Sequence, residues 1–79
     1  MIGVRVKLTF PDELVREPII ARMVKELDVM PNIRRADVGE HGGWIICEID
    51  GEGVSVDRSV AWLRGEGVQV NLLGDVVES

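Results

Sequence analysis

Apolar and polar residues alternate from Val4 to Phe10, with Val4, Val6, Leu8 and Phe10 on one face and Arg5, Lys7 and Thr9 on the other. A period of two predicts a half-buried strand. Pro11, Asp12 and Glu13 interrupt it. Glu17-Pro18 then opens a helix, because proline loses nothing in a first turn whose N–H groups lack intrahelical acceptors. Ile19, Ile20, Met23, Val24 and Leu27 recur at helical spacing and leave Arg22, Lys25 and Glu26 for solvent. Met30-Pro31-Asn32 is expected to stop the helix, since the residue before a proline is steered away from helical angles.

Ile33 to Glu40 predicts a second strand, and its charges Arg34, Arg35 and Asp37 suit a sheet edge. His41-Gly42-Gly43 turns the chain into a third strand, Trp44 to Asp50, at hairpin distance. Ile45, Cys47 and Ile49 form its inward face; Trp44, Ile46 and Glu48 point the other way. Gly51-Glu52-Gly53 ends that strand. Ser55 is the expected N-cap of a second helix with the stripe Val56, Val60 and Leu63, and Asp57 supports its first turn. Arg64-Gly65-Glu66-Gly67 closes the helix, and Val68 to Leu73 forms the fourth strand. Gly74 to Ser79 is expected to be a frayed tail beyond an ordered core of residues 2–73.

The order β-α-β-β-α-β predicts an α+β, ferredoxin-like fold, a four-stranded antiparallel sheet with both helices on one face. The first and third strands lie in the middle and the second and fourth at the edges. The other face, carrying Arg5, Lys7, Trp44, Ile46, Glu48, Gln69 and Asn71, is left open, and an exposed Trp–Ile pair there points to contact with a partner such as a second copy.

The 79 residues suit a single domain. The net charge of −5 argues against a broad nucleic-acid surface. Cys47 is the one cysteine, which excludes an internal disulfide or a multi-cysteine metal site and fits a reducing, cytoplasmic setting. No apolar run approaches the roughly 20 residues of a membrane span, and residues 1–5 lack a signal-peptide layout. His41 sits among turn glycines without an assignable partner for acid–base work, and Cys47 reads as a small buried hydrophobe. The acidic residues do not follow the spacing of a calcium loop, and the glycines make neither a dinucleotide fingerprint nor a phosphate loop. Trp62 lies off the stripe of the second helix, either covering the helix end or forming an interface. No constellation supports an enzyme, a metal or a cofactor.

Several segments resemble the NIL domain family, named for an Asn-Ile-Leu signature at the start of the second strand. Here the signature stands as Asn32-Ile33-Arg34, with arginine in place of leucine. The opening strand ending in Phe10, Glu48-Ile49-Asp50-Gly51, Val60-Ala61-Trp62-Leu63 and Gly67-Val68-Gln69-Val70 match in order and spacing. The resemblance implies an ACT-like regulatory domain of the kind found at the carboxyl end of methionine ABC importer ATPases, where it dimerises and binds methionine, and also beside ferredoxin modules or alone. It implies a ligand site at Asn32 and, six positions later, Val38, with Met30 and Ile33 lining an apolar pocket. It leaves Arg34 either to pair with a carboxylate or to guard the edge.

Two functional readings follow. One is a dimeric sensor of methionine or a related sulfur amino acid, signalling to a transporter ATPase or a protein of sulfur amino acid metabolism. The other is a structural docking module without a ligand, using Trp44, Ile46, Trp62 and Arg34 as its interface.

Overall fold

A computed structural model describes residues 2–77. Its elements are β1 (Ile2–Phe10), a 3-10 turn (Asp12–Leu14), α1 (Ile19–Leu27), β2 (Met30–Gly39), β3 (Gly42–Gly51), α2 (Gly53–Gly65) and β4 (Gln69–Val77). The four strands form one antiparallel sheet in the order β2-β3-β1-β4. This is the arrangement expected from the alternation, with β1 and β3 central. The fold is ferredoxin-like.

The core lies between the sheet and the helices. Val4, Val6, Leu8 and Phe10 from β1 and Cys47 and Ile49 from β3 meet Ile19 and Met23 of α1 and Val56 and Leu63 of α2. Both helices therefore cover one face, as each strand sends alternate side chains to that side. The register opposes Val4 to Ile49, Val6 to Cys47 and Leu8 to Ile45, so inward residues meet inward residues across the central pair. Each fully buried aliphatic side chain there is worth roughly 1.5–3 kcal/mol relative to exposure.

Several boundaries differ from those the sequence predicts. Helix α1 ends at Leu27, not at Met30-Pro31-Asn32, because Asp28 turns left-handed at φ 54° and its N–H bonds back to the Val24 carbonyl. Asp is among the few non-glycine residues that tolerate that conformation. The preference of Met30 for extended angles before Pro31 then starts β2 instead of stopping a helix. Helix α2 begins two residues before the expected cap, so Ser55 lies inside its first turn and Glu52 occupies the N-cap position without a side-chain hydrogen bond. The Ser55 carbonyl accepts a hydrogen bond from the buried Ser59 hydroxyl at 2.8 Å.

Strand β4 runs past Leu73. A register shift lies between Arg5 and Val6, and beyond it Gly74 to Val77 pair with β1 from Arg5 back to Ile2. Four of the six residues of the expected tail are thus paired strand, and residues 78–79 lie outside the described residues. At the other end of the sheet, β2 and β3 approach closely. A Cβ on Gly43 would stand 2.5 Å from the Asp37 carbonyl oxygen, which only glycine avoids.

Candidate functional site

Strand β2 is the exposed margin of the molecule. Apart from the half-buried Pro31, every residue from Met30 to Gly39 is exposed, and Met30, Ile33 and Val38 keep 69%, 51% and 51% of their surface accessible. A ten-residue edge strand with apolar side chains and a free row of backbone N–H and C=O groups invites a partner strand.

The register of this hairpin is interrupted. Asn32 faces Glu48 and Ile33 faces Cys47, yet the next pair is Arg35 with Ile46, so Arg34 is an extra residue bulged out of the ladder. The bulge reverses the alternation. Met30 and Asn32 share the open face of the sheet with Asp50 and Glu48, and beyond the bulge that face receives Arg35 and Asp37. Ile33, Ala36 and Val38 fall on the helix side. Asn32 and Val38, which a regular strand would place together, therefore lie on opposite faces. The structure joins Asn32 with Met30, and Ile33 with Val38, at the two sides of one edge.

Val38 borders an open apolar pocket of about 170 Å³ with Phe10, Leu14, Pro18, Ile20 and Ile45. Its walls come from the 3-10 turn, the start of α1 and the neighbouring parts of β1, β2 and β3.

On the open face the centre is ionic. Glu48 is buried, its side chain 7% accessible, and accepts a hydrogen bond from Arg5 Nη2 at 2.9 Å. Arg34 Nη2 lies 3.5 Å from the same carboxylate oxygen. The Arg5 hydrogen bond, helped by the charge of Arg34 and opposed by desolvation, holds the Glu48 carboxyl below the ordinary glutamate range. Lys7 Nζ stands 5.2 Å from the centre of the Trp44 ring, and both Trp44 and Ile46 are half-buried. Sequence reasoning put Glu48 on this face but gave it no role. The signal was the opposite charge of Arg5, legible only once Arg5 and Glu48 are known to be cross-strand partners.

Trp62 lies away from this region. It packs half-buried against the core, with Arg22 of α1 5.7 Å above its ring, and Arg22 also pairs with Glu66 at 2.9 Å. His41 is exposed at the hairpin tip, 3.8 Å from Asp12. Cys47 is buried, which pushes its thiol pKa up to about 11. Among the described residues no group of three His, Cys, Asp or Glu is placed to hold a metal ion, and no helix is long and apolar enough to cross a membrane.

The family model described as the NIL domain matches residues 4–71. The chain is 29% identical over 75 residues to the methionine import ATP-binding protein MetN 2 of Acinetobacter baylyi and 29% identical over 76 residues to MetN of Aliivibrio fischeri. These alignments take in 90% and 91% of this chain but 22% of each relative. Among solved structures, the C-terminal domain of an ABC transporter ATP-binding protein from Enterococcus faecalis superposes with a TM-score of 0.80 at 25% identity, covering 91% of this chain and 84% of that one. The designed protein Foldit4 shares the fold, with a TM-score of 0.60 at 14% identity over 99% and 98% of the two chains. A model match spanning most of the chain, on the sheet order the sequence predicts, shows that this chain belongs to the NIL domain family.

Proposed function

We propose that this chain is a regulatory ligand-binding module. It dimerises through β2, takes methionine or a related sulfur amino acid at that edge, and passes its occupancy to a transporter ATPase or a protein of sulfur amino acid metabolism in the cytoplasm. The observation that carries the reading is the exposure of β2, which leaves both a strand edge and three large hydrophobic side chains without cover. The relatives' description as methionine import ATP-binding proteins supports the ligand class.

In this reading the ligand lies at the seam between two copies. Asn32 and Met30 contact it from the open-face side, and Ile33 and Val38 shape the helix side. Asn32 can both donate and accept, which suits an amino acid's charged groups. Coupling to the partner protein is then a difference in ligand affinity between two assemblies.

Thermal unfolding against a panel of methionine, homocysteine and cysteine tests the reading. A ligand at one hundred times its dissociation constant adds about 2.7 kcal/mol, raising the midpoint of so small a domain by roughly 10 °C or more. Asn32→Ala should remove the shift and leave the dimer intact. A flat panel at millimolar concentration, with the dimer preserved, favours the docking module without a ligand instead.

A further inference from the structure

Resting on the proposed amino acid ligand, we infer that the open face beside Asn32 carries a headgroup site in which Arg34 takes the ligand's α-carboxylate and Asp50 faces its α-ammonium group. The first observation is one of charge. Glu48 is a single carboxylate set between two guanidinium groups, Arg5 at 2.9 Å and Arg34 at 3.5 Å, so the cluster keeps one positive charge uncompensated. Both arginines remain accessible, with side chains 50% and 55% exposed. Each guanidinium has five N–H donors in a rigid fork that matches a carboxylate. Arg34 approaches Glu48 through a single nitrogen, which leaves the rest of its fork open.

The second observation is one of placement. Glu48 is buried and pinned by Arg5, so it holds the Arg34 guanidinium near a fixed point before any ligand arrives, lowering the ordering cost of binding. Asn32 stands directly across from Glu48, and Met30, opposite Asp50, offers an exposed thioether chain on the same face. Arg34 follows Asn32 by two positions, so the strand's period puts both on this face, and the bulge leaves Arg34 outside the ladder.

The third observation is an unmet acceptor. Asp50 follows Glu48 by two positions on the same face of β3, and its Oδ1 is buried without a hydrogen-bond donor among the described residues. Asp50 as a whole is only half-buried, so its charge still acts at the surface and favours a cation alongside it. Two strand residues span about 7 Å, so the anionic and cationic subsites are separated on the scale of an amino acid headgroup with its hydrogen bonds. The site therefore selects a free zwitterion over an amino acid blocked at either end.

The test compares L-methionine, L-methioninamide and N-acetyl-L-methionine by isothermal titration on the intact chain and on Arg34→Leu and Asp50→Asn. The wild type should prefer methionine to both analogues by about tenfold or more, the weight of one charge-assisted hydrogen bond. Arg34→Leu should lose the discrimination against the amide, and Asp50→Asn the discrimination against the N-acetyl form. Arg34→Lys should keep part of the first, which separates charge from fork geometry. If both Arg34→Leu and Asp50→Asn bind methionine with wild-type preference, the headgroup assignment is overturned while the ligand reading stands. If Arg34→Leu breaks the dimer without changing ligand preference, the carboxylate it takes belongs to a protein and the inference fails. If the wild type binds none of the three compounds, both readings fall together.

Discussion

Arg5 and Glu48 face each other across the two central strands, and their side chains meet at 2.9 Å on the face the helices leave open. The pair anchors the open face as the aliphatic residues anchor the other. Its hydrogen bond lowers the Glu48 pKa, so its contribution to stability is complete above the unfolded glutamate's value and is lost as pH falls through the lowered one. Melting curves should therefore weaken with acid below roughly pH 4. Glu48→Gln should be less stable at neutral pH and show a flatter acid profile; an unchanged profile would contradict the assignment.

A dimer through β2 has a register that charge can test. Antiparallel pairing about a two-fold axis at Ala36 sets Arg35 of one copy opposite Asp37 of the other, twice per dimer, with both side chains on the open face. Cross-strand charge pairs are worth about 0.2–1 kcal/mol each. Sedimentation should show weaker association for Arg35→Asp and for Asp37→Arg alone, and recovery in the double exchange. Failure of the double exchange to recover would exclude this register.

Cys47 is buried between the helices and the sheet. Burial pushes its pKa up to about 11, so the stability linked to the neutral thiol is present below the unfolded thiol's value and is lost as pH rises through about 11. At neutral pH a thiol reagent should label the native protein only as fast as the chain opens, and label it at once in denaturant. Rapid labelling without denaturant would show that the site is accessible.

Gly43 faces Val38 across the β2–β3 hairpin with no room for a side chain. An added Cβ would meet the Asp37 carbonyl oxygen at 2.5 Å and the Val38 Cα at 2.6 Å, both backbone atoms that cannot swing aside. Gly43→Ala should cost roughly 1–3 kcal/mol in chemical denaturation, as overpacking does, and weaken any function that depends on β2. Gly65→Ala, where a Cβ meets no atom within 4 Å, is the control expected to be tolerated.

Much of the fold was legible because its code is local. Val4, Val6, Leu8 and Phe10 announce a strand through a period of two, Ile19 and Met23 announce a helix through a longer one, and the order of those periods limits the topology to a few forms. The helix ends were less legible. Ser55 has the chemistry of an N-cap, but α2 starts at Gly53, and packing of Val56 and Leu63 on the sheet decides where the helix sits.

The candidate site divides along the same line. Residue type and near neighbours were enough to set the element order, the inward faces of β1 and β3, the edge position of β2 and the chemistry available at Asn32 and Arg34. Which of these residues share a surface depended on how the strands pair in the folded chain. The bulge at Arg34 arises from how β2 pairs with β3, and one extra residue moves Val38 to the opposite face from Asn32. The gathering of Arg5 and Arg34 around Glu48 likewise joins three strands. A pairing register is a long-range property, set by contacts between segments far apart in the chain, and no local pattern records it.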